Sequence, residues 1–168
     1  MIDKFDNFIA EMNSSTSTND KIDIIRVSDR DIRKILYYTY NSYMQYYVTP
    51  KLLEKKKDLI NKSTQFKTIF ELLDSLNARL ITGHKSIEEV NGFIYNNPQY
   101  KFLLDLILNR NLKVRASVKL INKAIPNLIP TFNVALANKY DEKTKKKVDF
   151  KKDVWYVSRK LDGVRCLI

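Results

Sequence analysis

The chain has 168 residues, 44% of them hydrophobic, which indicates a globular protein of one domain or slightly more and excludes a disordered chain. Its formal net charge of +11 favours a polyanionic partner, most simply nucleic acid, with solubility alone as the alternative. One cysteine and one histidine give no basis for a disulfide or a metal site, and the lack of a long apolar run or a secretory signal leads us to expect a cytoplasmic protein.

Helical spacing of apolar residues predicts two short helices at the start of the chain. The first covers Ile2 to Met12, and the second covers Lys21 to Val27. The Ser/Thr/Asn-rich tract between them, residues 13–19, predicts a loop.

The third predicted helix is longer and rich in tyrosine. Ser28 with Asp31 has the spacing of a capping pair, and the apolar stripe that follows predicts a helix from Ile32 to just before Pro50. Six of the ten tyrosines lie in this stretch. We interpret most of them as core packing, with contact between one or two hydroxyls and a sugar-phosphate backbone as the alternative.

Capping patterns predict the helices in the middle of the chain. The lysine-rich stretch 51–62 is interpreted as a solvated face. Two pairs have capping-box spacing, and a glycine is expected to end the first helix: Thr68 with Glu71, Ser86 with Glu89, and Gly83. Pro98 predicts the first turn of a further helix, with a core stripe of Phe102, Leu103, Leu106 and Ile107. Successive short capped helices predict an all-α helical bundle over residues 1–130.

The next stretch is cationic. From Leu106 to Tyr140 the chain has no acidic residue, and a helix is predicted over residues 116–124. A one-sided cationic surface is typical of phosphate binding, with a solvated face as the alternative. The candidate DNA-binding residues are Lys113, Arg115, Lys119, Asn122 and Lys123, of which the last four have spacings that share one helical face.

Two prolines, Pro126 and Pro130, then predict a domain boundary. The second domain, residues 131–168, contains a β-branched and aromatic stretch from Val154 to Val157 that predicts a strand. A turn at Gly163 leads into a second strand. This part therefore predicts the truncated start of an α+β domain.

The turn between these strands carries the sequence Lys-x-Asp-Gly-x-Arg. A hairpin would hold Lys160 at the rim of a sheet, with Asp162 and Arg165 beside it. An amine becomes a nucleophile when burial or neighbouring cations favour its neutral form. A carboxylate can orient that amine, and an arginine can hold phosphate oxygens. An ordinary charged hairpin turn is the alternative interpretation.

The Lys-x-Asp-Gly-x-Arg sequence resembles the nucleotidyl-acceptor motif of DNA ligases, RNA ligases and mRNA capping enzymes. Other segments occur in the order seen in ATP-dependent DNA ligases, with the T-even-phage type most similar: Tyr46-Tyr47, Leu80-Ile81-Thr82-Gly83, residues 112–118, Ile121-Asn122-Lys123, residues 126–130, Ala135-Leu136-Ala137 and Tyr140-Asp141-Glu142-Lys143. A helical domain ahead of the motif favours a DNA ligase, because RNA ligases and capping enzymes lack that domain. The family usually has glycine where this chain has Arg115, and methionine where it has Ala135.

The resemblance implies a helical DNA-binding domain that holds nicked double-stranded DNA, joined to the beginning of an adenylation (nucleotidyltransferase) domain that uses ATP and Mg²⁺. Lys160 would be the adenylated nucleophile. Arg165 would contact the nucleotide or the 5′-phosphate of the nick, and Asp162 would support the turn. Leu136 and Ala137 would approach the adenine.

The rest of the adenylation domain and the oligonucleotide-binding domain of that family have no counterpart in these 168 residues. We therefore expect this chain alone not to seal nicks, and a downstream polypeptide would complete the ligase in the cytoplasm of a phage-infected bacterium. One alternative is a catalytically inactive DNA-binding module from a truncated or split ligase. Another is a covalent nucleotidyltransferase of the RNA ligase or capping type.

Overall fold

A computed structural model of the protein describes residues 1–131, 141–146, 149–152, 154 and 156. The chain divides into two compact units, Met1–Thr131 and Phe132–Ile168. Throughout the described ranges the regular elements are helices and none is a strand, so the helical character predicted for the first part is confirmed. The predicted strands and the turn that carries Lys160 lie almost entirely outside the described residues.

The first unit contains eight described α-helices and a 3-10 helix. Their bounds are α1 Ile2–Ser14, α2 Thr18–Val27, α3 Arg30–Tyr40, α4 Pro50–Lys55, α5 Ile69–Asn77, α6 Gly83–Asn96, the 3-10 helix Pro98–Tyr100, α7 Lys101–Leu108 and α8 Val118–Ala124. The described part of the second unit contains one further helix, α9, Glu142–Lys145. None of the helices in the described residues is long and apolar enough to cross a membrane.

Helices α1 and α2 are found where the sequence predicts them, but the cap of α3 is displaced by one residue. Asp29, rather than Ser28, accepts the cap hydrogen bond from the Ile32 N–H at 3.0 Å. The same carboxylate accepts from Lys4 Nζ at 2.8 Å, which ties α1 to the start of α3. This contact with the Lys4 ammonium lowers the pKa of Asp29 below its ordinary value.

The predicted length of α3 is wrong, because the helix ends at Tyr40 instead of continuing towards Pro50. Residues 41–49, here called the tyrosine loop, follow in irregular conformation. Within this loop three apolar side chains are buried (Met44, Tyr46 and Val48), and those between them are exposed (Gln45 and Tyr47). Burial alternates with a period of two, which is the pattern of extended chain, so the apolar residues do not continue the helical stripe.

The capping box formed by Thr68 and Glu71 at the start of α5 is confirmed. Two neighbouring predictions are wrong. Gly83 does not end α5, which stops at Asn77; it is the first residue of α6 and has φ +60°. Ser86 lies inside α6 rather than at its start, and its hydroxyl donates to the Gly83 carbonyl at 2.7 Å.

Residues 56–67, here called the strap, lie against one side of α6. Glu89, predicted as a capping residue, is instead buried and accepts hydrogen bonds from Asn61 Nδ2 at 2.7 Å and from the Thr64 hydroxyl at 2.6 Å. The strap backbone passes so close to the helix that only a residue without a side chain fits at Gly92. This packing fixes the backbone of part of the lysine-rich stretch 51–62, while lysines such as Lys57 and Lys62 remain exposed.

We predict that Gly92→Ala destabilises the first unit, although alanine normally favours a helix interior. A Cβ at this position would lie 2.0 Å from the Asn61 carbonyl oxygen, which is a backbone atom and cannot rotate away. Overpacking of this kind costs roughly 1–3 kcal/mol of unfolding free energy. Urea unfolding measures the decrease. The matched variant Lys85→Ala, at an exposed position of the same helix, should stay within about 0.5 kcal/mol of the wild type. Equal stability of Gly92→Ala and wild type would contradict the packing described.

Helices α7 and α8 pack against the N-terminal helices. Pro98 begins the helical turn that leads into α7, and Leu103, Leu106 and Ile107 are buried as predicted, whereas Phe102 is exposed. Helix α7 packs on α3, and α8 packs on α2. The residues between α7 and α8 are therefore held over the N-terminal helices.

Candidate nucleic-acid interface

The segment between α7 and α8, residues 109–117, is here called the connecting loop. Leu112 and Val114 are completely buried, whereas Lys113 and Arg115 are exposed. Alternation along the chain thus anchors every second residue in the core and turns the cations between them outwards. This arrangement presents the two charges from a fixed backbone.

Hydrogen bonds from the N-terminal helices complete the anchoring of the connecting loop. Lys21 of α2 is buried, and its Nζ donates to the Val114 carbonyl at 3.2 Å. The Leu112 N–H donates to the Tyr40 hydroxyl at 3.3 Å. Burial raises the pKa of Tyr40, and the hydrogen bond from Leu112 opposes that rise. The phenol is therefore neutral near pH 7, and the loop is held by groups far away in sequence.

Arg110 joins the connecting loop to the tyrosine loop. Its Nη1 donates to the Asn41 carbonyl at 2.7 Å, and its guanidinium lies 5.3 Å from the centre of the Tyr46 ring. The Tyr46 hydroxyl donates to the Tyr38 carbonyl at 2.6 Å, and burial raises the pKa of this phenol. Nη2 of Arg110 is buried without a hydrogen-bond partner among the described residues, and the guanidinium that carries it lies over the Tyr46 ring. Nothing in the local sequence identifies this structural role of Arg110.

The backbone of the connecting loop is strained at its cations. Arg110, Lys113 and Arg115 have φ values of +55°, +57° and +52°, in the left-handed region that favours glycine. A residue with a side chain costs roughly 1–2 kcal/mol in this region. Strain of this kind is concentrated at functional sites. The left-handed conformation at Arg115 also explains why a glycine is suited to this position.

Helix α8 carries three of the candidate DNA-binding residues, and they differ in exposure and in hydrogen bonding. Lys119 and Lys123 are exposed and one helical turn apart. Asn122 is instead occupied by the following loop: its Nδ2 donates to the Ile129 carbonyl, and its Oδ1 accepts from the Ile129 N–H, both at 2.8 Å. The prediction that Arg115 shares the helical face is wrong, because α8 begins at Val118 behind the cap of Ser117.

Four exposed cations remain, here called the cationic surface: Lys113, Arg115, Lys119 and Lys123. The sequence between residues 106 and 140 contains no carboxylate that could neutralise them. Long cationic side chains on a fixed backbone can each bind a phosphate oxygen without ordering the main chain first. The chemistry that this surface offers is the binding of a phosphate backbone.

The remaining predicted site residues lie outside the described residues: Leu136, Ala137, Lys160, Asp162 and Arg165. Within the described ranges no group of three or more His, Cys, Asp or Glu residues could hold a metal ion.

Comparison with known proteins shows what the whole chain is similar to. No protein-family model matches the chain. Over 164 residues the chain is 33% identical to the DNA ligase of Enterobacteria phage T4 and to that of Enterobacteria phage T6, in alignments that cover 93% of the chain. The chain is related to the T-even-phage DNA ligases. It spans about a third of the length of these relatives, since the alignments cover 32% of each. The similarity lies in the N-terminal part of the ligases, and the resemblance noted in the sequence is confirmed.

The left-handed backbone at Arg115 predicts that glycine stabilises this position relative to alanine, the reverse of its effect inside a helix. Arg115→Gly should unfold with a free energy roughly 1 kcal/mol higher than that of Arg115→Ala, because only glycine relieves the strain. At Lys119, inside α8, Lys119→Gly should be less stable than Lys119→Ala by about 1 kcal/mol. Urea unfolding of the four variants measures both differences in unfolding free energy. The two variants at each position lack the same positive charge, so charge does not contribute to either difference. If glycine were less stable than alanine at both positions, the left-handed conformation of Arg115 would be ruled out.

Proposed function

We propose that the chain is the N-terminal part of an ATP-dependent DNA ligase, in which the helical unit binds nicked double-stranded DNA and Lys160 carries the AMP used to seal the nick. The observation that carries this proposal is the relationship to the phage ligases along nearly the whole chain. The cationic surface supplies a physical reason for the DNA-binding part. The acceptor sequence around Lys160 supplies a chemical reason for the catalytic part.

In the proposed binding step, Lys113, Arg115, Lys119 and Lys123 contact phosphates of the duplex. Binding releases counterions from the DNA, so affinity falls steeply as salt is raised. Such contacts position the protein without reading base sequence, which suits an enzyme that must act at nicks in any sequence. Asn122 is left out of this set because its amide already holds the loop that follows α8.

In the proposed reaction, the neutral ε-amine of Lys160 attacks the α-phosphorus of ATP. A P–N bond forms, the bond to the β-phosphate oxygen breaks, and pyrophosphate leaves. The AMP then passes to the 5′-phosphate of the nick, and attack by the 3′-hydroxyl forms the phosphodiester and releases AMP. Arg165 contacts the nucleotide or the 5′-phosphate, Asp162 supports the turn, and Leu136 and Ala137 lie near the adenine. Mg²⁺ would neutralise charge that develops on the phosphates.

The aligned region corresponds to about a third of each phage ligase, so we propose that activity needs the remaining portion as a downstream polypeptide. In that form the protein would serve DNA replication and repair in the cytoplasm of a phage-infected host. A binding module without catalysis is the second candidate. It is favoured by the fact that the whole cationic surface belongs to the compact unit Met1–Thr131, which does not include Lys160.

For DNA binding, we predict that Lys119→Glu weakens the affinity for nicked duplex at every sequence. The slope of log affinity against log salt should flatten by about 1 for each phosphate that the variant no longer neutralises. Fluorescence anisotropy over a salt series measures both quantities. Lys101→Glu is the matched control, because it makes the same change in net charge at the end of α7 opposite the connecting loop. Equal decreases in affinity from the two variants would point to net charge rather than to a site.

For the chemistry, we predict that radioactive label from α-labelled ATP becomes attached to Lys160 when the chain is mixed with the polypeptide that completes the ligase. Lys160→Ala should remove the label, because no other residue supplies the attacking amine. Lys146→Ala, at an exposed lysine of the same unit, should retain it. Labelling by GTP instead of ATP would indicate a capping-type enzyme. Absence of label with the partner present would leave the binding module as the function.

A further inference from the structure

Three loops of the helical unit are joined to one another by hydrogen bonds. Arg110 of the connecting loop donates to the carbonyl of Asn41, at the start of the tyrosine loop. The Gln45 N–H of the tyrosine loop donates to Asn77 Oδ1, at the end of α5, at 2.8 Å. The segment that follows α5, residues 78–82, is here called the α5–α6 turn. The tyrosine loop therefore lies between the connecting loop and the α5–α6 turn.

Helices α5 and α7 end in the same way on the two sides of the tyrosine loop. The Leu80 N–H donates to the Ser75 carbonyl at 3.0 Å, and the Asn111 N–H donates to the Leu106 carbonyl at 3.1 Å. These are the long hydrogen bonds of the Schellman motif, whose left-handed residue is usually glycine. Here the left-handed residues are arginines: Arg79 with φ +56° and Arg110 with φ +55°.

Each of these arginines lies over one of two consecutive tyrosines. Arg110 covers the buried Tyr46, whereas the guanidinium of Arg79 lies 4.8 Å from the centre of the exposed Tyr47 ring. The inner pair is part of the core. The outer pair is exposed: Tyr47 is 63% exposed and itself has φ +57°. The side chains of Tyr47 and Arg79 are themselves exposed, so burial in the core does not hold either of them.

An exposed leucine adjoins the outer pair. Leu80 follows Arg79 in the α5–α6 turn and is 76% exposed. A cleft of about 230 Å³ continues from Tyr47 to Arg110 and so reaches the connecting loop. Among the described residues, five of the six left-handed residues other than glycine belong to these three loops: Tyr47, Arg79, Arg110, Lys113 and Arg115.

We propose that Tyr47, Arg79 and Leu80 form a second contact with duplex DNA, in which the two apolar side chains press against sugars and base edges in the minor groove beside Arg79. Proteins that bind this groove combine arginine with apolar side chains that wedge against base steps. Strained residues held outwards are expected where a ligand supplies the compensating contact. The inference rests on the proposed DNA binding, since the contact continues the cationic surface through Arg110.

The consequence that distinguishes this contact is its response to salt. The lysines of the cationic surface act through counterion release, so their removal flattens the salt dependence. An apolar contact releases no counterions. Truncation of Tyr47 or Leu80 should therefore lower the affinity by a similar factor at every salt concentration.

The test uses the full 168-residue chain and a labelled nicked duplex with a 5′-phosphate, with affinity measured over a salt series. Tyr47→Ala and Leu80→Ala should each weaken binding by about tenfold with an unchanged slope, since each removes an apolar contact that buries surface from water. Tyr47→Trp should restore binding. Tyr95→Ala is the matched control, because Tyr95 is also exposed beneath a cation, with Lys62 Nζ 5.0 Å from its ring centre.

Wild-type affinity for both Tyr47→Ala and Leu80→Ala would overturn the inference, as would an equally weakened Tyr95→Ala or a flattened slope. Leu80→Gln keeps the test valid if Tyr47→Ala folds poorly, because the Leu80 side chain is almost free of packing. A failure of the proposed DNA binding itself gives a different result, because Lys119→Glu would then leave the affinity and its salt dependence unchanged.

Discussion

The burial of Leu112 and Val114 is the constraint on which the candidate interface depends. Both side chains are completely buried, and full burial of a large apolar side chain contributes roughly 1.5–3 kcal/mol. That contribution is of the same size as the cost of the left-handed conformations at Lys113 and Arg115, about 1–2 kcal/mol each. The loop can therefore keep its cations on a strained backbone without becoming unstable. Without these two anchors, the charges would sit on a mobile segment and would have to be ordered whenever DNA is bound.

The scarcity of glycine accounts for part of this strain, but not for its distribution. The chain has three glycines, so helix ends that would usually use glycine must use other residues. Scarcity alone would place arbitrary residues at these positions. Instead four of the six described left-handed residues other than glycine are arginine or lysine, and a fifth is the tyrosine beneath Arg79. The proposed DNA binding would account for four of the five, because Tyr47, Arg79, Lys113 and Arg115 each expose a charge or a ring, whereas Arg110 holds the tyrosine loop.

Local signals were enough to predict much of the helical unit. The spacing of apolar residues located α1 and α2, and the capping box at Thr68 and the proline at Pro98 located the starts of two other helices. The wrong predictions fall where apolar residues fit both a helical and an extended period, or where the backbone is left-handed at a residue other than glycine. After Tyr40 the apolar residues fit a helix in sequence but alternate in the structure. Arg115 lies before the start of α8 in a left-handed conformation, and its sequence gives no sign of that conformation because the residue is not a glycine. The cations of the interface were visible as a charge pattern, whereas the role of Asn122 depends on the fold of the loop behind it.

The two kinds of contact act over different distances, and this sets the order in which they operate. Exposed lysines and arginines attract a polyanion over about one Debye length, roughly 8–10 Å at moderate salt. An apolar side chain contributes only on direct contact, after water has been removed. The cationic surface would therefore bring the duplex to the protein in any register. Tyr47 and Leu80 would add free energy only where the groove fits against the tyrosine loop and the α5–α6 turn. A break in one strand makes the duplex easier to deform, so a contact that wedges against base steps costs less at a nick than in an intact duplex. A charged surface alone has no such dependence on deformability, so under this proposal a preference for nicks would come from the apolar contact.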